Sequence, residues 1–340
     1  MEKTIKLCLV GAGAFANYSH GPALRLIRQT DPALRLAAVA DLDPARAARF
    51  AETFGFDRSY RDWREMLERE KPDGVGILTQ VAATSEVGSA VLAAGYPAML
   101  EKPPGRNRTE ILALARAQQR SGTPAMVAFN RRYSPLLSQL QKIWQTECDE
   151  PIEHIRCDFY RSERLDEDFS TTSIHGIDAV RHLSGGAYRS VDFIYQELDR
   201  ERPARNIFLD CRFDNGVGGL IGFCPSTGAT FERYTVCTRH WTLIAETVVP
   251  GGGVDSPGRI FVYRRNYLLR IEAPEPSPLN REELYLGGYY PENAAFINRL
   301  RHGFPDFDDL AASLDAVEIA DALRHRQAAW RKNDSAPDQP

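Results

Sequence analysis

Three stretches of this chain combine residue types and spacing that can do chemistry. Gly11-Ala12-Gly13-Ala14-Phe15-Ala16 reads G-x-G-x-x-A and follows the apolar run Ile5–Val10 directly. The first glycine permits a tight strand-to-helix turn, and the second lets the backbone approach a pyrophosphate. The small third residue lets helix and strand pack closely, while the helix N-terminus offers N–H groups to the anion. Asp41 ends the next apolar run, Leu34–Ala40, 25 residues beyond Ala16. An acid there accepts hydrogen bonds from an adenosine ribose and repels a ribose 2′-phosphate, which points to NAD over NADP. Arg46 and Arg49, one turn later, keep NADP open. The third stretch, Glu101-Lys102-Pro103-Pro104, follows the apolar segment Pro97–Leu100. Ligands of open parallel sheets lie beyond the carboxyl ends of the strands, so Lys102 would stand where a nicotinamide meets its substrate. Oxidising an alcohol requires removal of the hydroxyl proton as hydride leaves the carbon. A lysine of lowered pKa can assist that step, or polarise a carbonyl in reverse. Taken singly, each fragment also has an ordinary reading: a glycine-rich turn, a helix-capping Asp and a solvated loop lysine.

The elements that must position these residues alternate in the first third. Strands are predicted at Ile5–Val10, Leu34–Ala40, Gly74–Leu78, Pro97–Leu100 and Ala125–Ala128. Helices are predicted at Ala14–Arg28, from Asp43-Pro44 onward, and around Glu86–Ala94 and Thr109–Gln119. This βαβ rhythm with short connections predicts a doubly wound parallel sheet. Beyond about residue 150 the texture changes to strands at Ile152–Arg161, Ser190–Leu198, Ile207–Phe213, Val217–Phe223, Thr230–Thr238, Thr242–Val248 and Arg259–Arg264. Their turns include Asp214-Asn215-Gly216, Cys224-Pro225-Ser226 and Gly251-Gly252-Gly253, so a largely antiparallel sheet is predicted. A helix near Ile174–Leu183 interrupts it. Glu272–Pro278 reads as a Pro-rich loop, and a last amphipathic helix spans Asp309–Ala328. The division that follows is 1–128 for a cofactor-binding domain, 129–330 for a substrate-binding and oligomerisation domain of α+β type, and 331–340 for a frayed tail.

With 340 residues, 43% hydrophobic and 26% charged, the chain has ordinary globular composition and room for two domains. Its net charge of -4 marks no surface for nucleic acid or membrane. Cys8, Cys148, Cys157, Cys211, Cys224 and Cys237 lack metal-ligand or disulfide-framework spacing and are read as reduced, buried thiols of a cytoplasmic protein. The first apolar run is too short for a signal peptide, and no stretch is long enough to span a bilayer.

Taken in order, several motifs resemble the Gfo/Idh/MocA family, that of glucose-fructose oxidoreductase and inositol dehydrogenase. They are Gly11–Ala16, Glu101-Lys102-Pro103, Phe129-Asn130-Arg131-Arg132-Tyr133-Ser134-Pro135, Ile174-His175-Gly176-Ile177-Asp178 and Leu314-Asp315-Ala316-Val317-Glu318. The resemblance covers nearly the whole chain. It implies an N-terminal Rossmann domain, a C-terminal domain with a large open sheet whose free face forms dimers or tetramers, and NAD(P)-dependent oxidation or reduction of sugars, cyclitols and related polyols. It makes Lys102 the catalytic or substrate-orienting residue and His175 an acid/base, a task that suits imidazole because it titrates near neutrality. Thr79 and Glu101 join Gly11, Gly13, Ala14, Phe15, Ala16, Asp41 and Lys102 as expected cofactor residues. The expected substrate residues are Lys102, Arg131, Tyr160, Thr171 and His175.

Two positions depart from the family pattern. Thr171 stands four residues before His175, where inositol dehydrogenases carry an acid, and Asp166 and Asp168 are the nearby carboxylates. The family's T-P-x-x-x-H is Thr79-Gln80-Val81-Ala82-Ala83-Thr84 in this chain. The missing acid leaves open an NAD-dependent glycosidase that oxidises, eliminates and re-reduces. The two changes together leave open a non-catalytic NAD sensor. His175, Asp178 and His182 share a helical face, but no further Cys/His cluster supports a metal, and none is expected. Arg131, Arg132, Tyr133, Tyr160 and Arg161 are candidate pocket walls, since sugars are held by hydrogen-bonding forks and aromatic faces. Tyrosines on a sheet also serve simply as packing. Tyr289-Tyr290 either approaches the pocket or anchors the last loop.

Overall fold

The computed structural model describes residues 3–164, 169–199, 202–247, 249, 257–274, 279, 282–304 and 309–332. The chain divides into two compact units. The first runs to Phe129 and takes in Tyr289–Val317; the second holds Asn130–Gly288 and the segment from Glu318.

In the first unit the order is β1 (Ile5–Val10), a π-helical turn (Ala16–His20), α1 (Gly21–Thr30), β2 (Leu34–Ala40), α2 (Pro44–Phe54), β3 (Arg58–Tyr60), α3 (Trp63–Glu70), β4 (Gly74–Ile77), α4 (Val81–Ala93), β5 (Ala98–Glu101), α5 (Arg108–Ser121) and β6 (Ala125–Ala128). The strands form one parallel sheet in the order β3-β2-β1-β4-β5-β6. The doubly wound sheet is thus as predicted, with its order reversing between β1 and β4 beside the glycine turn. Every residue of β4, β5 and β6 is buried, which explains why these strands read as continuous apolar runs. Helix starts follow local capping. The Asp43 side chain accepts the Ala45 and Arg46 N–H groups ahead of Pro44 at the first helical position.

The second unit contains α6 (Pro135–Glu147), β7 (His154–Tyr160), α7 (Ser170–Ser184), β8 (Tyr188–Asp199), β9 (Arg202–Phe213), β10 (Gly218–Cys224), β11 (Phe231–Cys237), β12 (Trp241–Thr247), β13 (Arg259–Arg264), β14 (Tyr267–Glu272) and α8 (Glu282–Leu286). The chain then gives the first unit α9 (Tyr289–His302) and much of α10 (Asp309–Arg324), and closes the second with β15 (Ala329–Arg331). Among the described residues the second sheet has nine strands, ordered β14-β13-β12-β11-β7-β10-β9-β8-β15. It is antiparallel except where β7 runs parallel to β10. The large, mostly antiparallel sheet is as expected.

Helix α7 packs on one face of this sheet. A Cβ on Gly176 would meet Phe159 and Phe223 at 2.9 Å, so the glycine sets how closely helix and sheet approach. Strand residues alternate accordingly. Glu232, Tyr234 and Val236 of β11 are buried, while Phe231, Arg233, Thr235 and Cys237 are half-buried. The face away from α7 carries exposed Arg156, Arg212 and Leu220.

Several local readings differ from the structure. Helix α4 begins at Val81 rather than near Glu86, so the Thr79–Thr84 segment forms its cap and first turn. The last helix ends at Arg324 because Ala329–Arg331 pairs with β8 instead. Glu272 closes β14, and residues 275–278 of the expected Pro-rich loop lie outside the described residues, as do Gly251-Gly252-Gly253 and the tail 333–340. No helix among the described residues is long and apolar enough to cross a membrane.

Candidate active site

The glycine turn opens from β1 at the switch in strand order. Gly11 has φ +104°, and a Cβ there would lie 2.4 Å from the Leu78 carbonyl oxygen at the end of β4. Only glycine fits. At Gly13 no protein atom beyond its two chain neighbours lies within 4 Å of a Cβ position, so this side of the turn faces space the fold does not fill. That is the room a pyrophosphate needs. Asn17 fixes the turn by donating to the Ala12 and Gly13 carbonyls at 2.9 and 2.8 Å.

Asp41 is tied into the same turn. One carboxylate oxygen accepts the Ala12 N–H at 2.8 Å; the other accepts the Asp43 N–H at 2.9 Å and the Arg46 guanidinium at 2.8 Å. Burial pushes this carboxyl upward, but the hydrogen bonds from Arg46, Asp43 and Ala12 outweigh it and hold the pKa below the usual value. An ionised acceptor is therefore fixed beside the cradle. The residues present fit an adenosine dinucleotide whose ribose carries free hydroxyls.

The helix after the turn is not uniformly α. Ala16–His20 winds as a π-helix, and the Gly21 N–H bonds back to the Ala16 carbonyl. Pro22 explains the widening, because it has no N–H to give Tyr18 in an α ladder. The wide turn directs His20 inward, where it is fully buried. Its Nε2 lies 3.1 Å from Glu101 Oε1 and its Nδ1 lies 3.2 Å from Asn293 Oδ1. Glu101 is the last residue of β5, and Lys102 follows it with a cis bond to Pro103. The Lys102 ammonium stands 5.5 Å above the Phe15 ring, which meets His20 and Tyr289 edge-on at 6.0 and 5.9 Å. The first unit thus brings Gly11, Gly13, Phe15, Asp41 and Thr79 around the turn, and Glu101 and Lys102 beside it. Thr79 Oγ1 bonds Thr84 Oγ1 at 3.1 Å, and its N–H lies 3.2 Å from a Cβ on Gly11.

In the second unit His175 sits one turn after Thr171 on α7, so the two share a helical face. His175 is buried and Thr171 half-buried. Asp178, one turn on, is bound to Arg132 through Nε at 2.9 Å and a second guanidinium nitrogen, which anchors the turn Asn130–Tyr133 to α7. Asp166 and Asp168 lie outside the described residues.

Two expected substrate residues are placed elsewhere. Arg131 is buried, and its guanidinium pairs with Glu232 at 2.7 Å and reaches Asn130 at 3.1 Å. Glu232 also accepts from Arg161 and, at 3.0 Å, from the Tyr234 hydroxyl. Burial would raise the Glu232 carboxyl, but Arg131 and Arg161 overcome it and bring it down to about 2. Arg131 is therefore an anchor inside the second unit, not a solvent-facing fork. Tyr160 pairs with Phe231 on the face away from α7, their rings 4.8 Å apart. Register is the reason: Phe159, one residue earlier, faces the helix, so Tyr160 cannot share a surface with His175.

Sequence reasoning missed Asn17, His20 and Asn293. Tyr289 had been left between two readings, and its ring packs on Phe15 and Tyr18. A histidine and an asparagine 273 residues apart give no local signal of their pairing.

Comparison with known proteins accords with this geometry. Residues 5–129 match the model of a family described as an oxidoreductase family with an NAD-binding Rossmann fold. The chain is similar to a D-apiose dehydrogenase of Paraburkholderia graminis, 32% identical over 136 residues, covering 40% of this chain but only 35% of that protein. It is 25% identical to an inositol 2-dehydrogenase of Pseudomonas fluorescens over 95% of this chain and 94% of that one. A solved dehydrogenase from Chromobacterium violaceum shares the fold over 96% of both chains, with TM-score 0.80 and 21% identity. The glycine cradle and the Asp41 acceptor both lie within the segment 5–129, which matches the NAD-binding Rossmann fold of the Gfo/Idh/MocA oxidoreductase family.

Proposed function

We propose that the chain is an NAD-dependent dehydrogenase acting on a secondary hydroxyl of a sugar, cyclitol or derivative. The observation that carries this reading is the ionised Asp41 bound to the Ala12 N–H beside Gly13, where a Cβ would meet open space. The names of the apiose and inositol relatives support the polyol class. Bound NAD supplies the hydride acceptor. The protein's own groups handle orientation and the proton. Asp41 holds the ribose hydroxyls, the Gly11–Gly13 turn admits the pyrophosphate, and Phe15 stands beside Lys102. In the oxidation the Lys102 amine takes the hydroxyl proton, and His175 is assigned an acid/base role. Thr171 donates or accepts a hydrogen bond on the substrate, where a carboxylate would have held a proton. We assign Arg131 and Tyr160 no part in substrate binding.

A second reading rests on Thr171. An enzyme lacking an acid there can oxidise, eliminate and re-reduce a glycoside with no net change in NAD. A screen of sugars, inositols and glycosides with NAD and NADP separates the two. NADH accumulating with an intact oxidised polyol supports the dehydrogenase, and bond cleavage without NADH supports the glycosidase. Tight NAD binding with no turnover across the panel overturns both in favour of a sensor.

Assembly as a homodimer or homotetramer through the sheet face carrying Leu220 forms part of the proposal, with residence in the cytoplasm, where the chain's free thiols stay reduced. A strictly monomeric sedimentation profile would refute the assembly.

A further inference from the structure

We propose that His20 is a positioning residue for Lys102. The proposal rests on the reading of Lys102 as the group that takes the proton. Its motivation is a buried polar chain that the cofactor cradle does not use. His20 is fully buried between Asn293 of α9 and Glu101, the residue covalently next to Lys102. The Asn293 amide is itself fixed, donating to the Tyr289 carbonyl at 2.8 Å. Buried Glu292 precedes it on α9. His20 also meets the Phe15 ring edge-on, and Phe15 lies beneath the Lys102 ammonium. One imidazole therefore fixes Lys102 from two sides: along the chain through Glu101, and across space through Phe15. His20 is the last residue of the π-turn, and it joins the fingerprint helix to Glu101 on one side and to Asn293 on the other.

The physical argument concerns where the Glu101 carboxylate goes. It is nearly buried, and His20 Nε2 is a hydrogen-bond partner for it inside the unit. A buried carboxylate deprived of a donor finds another cation or neutralises. The neighbouring cation is Lys102. With His20 removed, Glu101 turns onto the Lys102 ammonium, stabilises its charged form and takes it away from the substrate proton. In the native chain His20 keeps Glu101 engaged.

The test needs neither substrate nor cofactor. Full-length protein is reductively methylated with 13C-formaldehyde, and the Lys102 dimethylamine, identified by its loss in Lys102→Arg, is titrated by NMR. In His20→Leu the Lys102 titration should move up by about one pH unit. In His20→Gln, whose amide can still donate to Glu101, it should return toward the native value. If His20→Leu does not fold, Asn293→Ser, which frees only the Nδ1 side of the ring, should give a smaller shift in the same direction. An unchanged or downward Lys102 titration in these variants, or a shift that His20→Gln fails to reverse, overturns the proposal. The two readings fail separately. Undiminished turnover by Lys102→Ala removes the role of Lys102, whereas a Lys102 titration indifferent to His20 removes only the role of His20.

Discussion

Alanine at Gly11 and alanine at Gly13 should damage different things, although the residues are two positions apart in one turn. At Gly11 the new Cβ meets backbone, 2.4 Å from the Leu78 oxygen and 2.7 Å from its carbon. Backbone at the end of β4 cannot rotate away as a side chain could. Overpacking costs about 1–3 kcal/mol, and a non-glycine residue held at φ +104° adds about 1–3 kcal/mol. Gly11→Ala should therefore lose about 2–6 kcal/mol of stability without any ligand present. At Gly13 the Cβ meets no protein atom within 4 Å beyond its chain neighbours, so stability should change by less than about 0.5 kcal/mol. Its methyl instead occupies the space assigned to the pyrophosphate, and a loss of about 1–3 kcal/mol there weakens NAD roughly 5- to 150-fold. Thermal and denaturant unfolding of ligand-free protein measure the first quantity, and calorimetric titration with NAD the second. If Gly13→Ala keeps native NAD affinity, or unfolds as readily as Gly11→Ala, the cradle has been misread.

Other consequences can be checked independently. Asp41→Ser should weaken NAD by about 1.5–3 kcal/mol per ribose hydrogen bond lost and improve NADP, because Arg46 is then released to face a 2′-phosphate; an unchanged NADP-to-NAD ratio in kcat/KM would count against the Asp41 assignment. Glu232→Gln leaves Arg131 and Arg161 buried against a neutral partner and should cost about 3–5 kcal/mol in urea unfolding. The Glu232 carboxyl is lowered, so its contribution is present above the ordinary carboxylate range and lost as pH falls from about 4.5 toward 2. Acid unfolding of the Gln variant should accordingly lack that component. Leu220→Arg, on the sheet face opposite α7, should shift sedimentation toward monomer while leaving the unfolding midpoint near native.

What could be read from sequence was what is local. The glycine turn, the strand ending at Asp41 and the caps at Asp43 each lie within a few residues of the element they specify, and the structure has them where expected. The β3 and α3 elements went unseen because Arg58–Tyr60 is short and Trp63–Glu70 is mostly charged, which hides the buried pair Met66 and Leu67. Helix α9 was missed for another reason. Its partners are Gly74, which makes room for Leu300, and Asp31, which binds Arg301 at 2.7 Å; both are more than 200 residues away.

Tyr160 shows how strand register, rather than residue type, decides which surface a side chain joins. Aromatic faces do bind sugars, and β7 does lie against the helix bearing His175. Strand period decides the matter: Ile155, Cys157 and Phe159 turn toward α7, which leaves Arg156, Asp158 and Tyr160 on the other side. The parity was present in the sequence, since apolar Ile155, Cys157 and Phe159 alternate with Arg156 and Asp158, but only a fixed partner says which parity faces in. Gly176 supplies that partner by admitting Phe159. Arg131 fails differently. It has the fork a sugar site would use, yet Glu232, on a strand 101 residues later, engages that fork at both Nε and Nη2. A guanidinium already paired to a buried carboxylate would have to leave an uncompensated charge behind in order to bind a polyol. The neutral hydrogen bonds a polyol offers, worth about 0.5–1.5 kcal/mol each, do not repay that. The proposed substrate contact on the His175 face of α7 is therefore the one to exchange when specificity is tested: Thr171→Asp, which puts a carboxylate one turn before His175, should change the ratio of kcat/KM between polyols, and an unchanged ratio would count against that assignment.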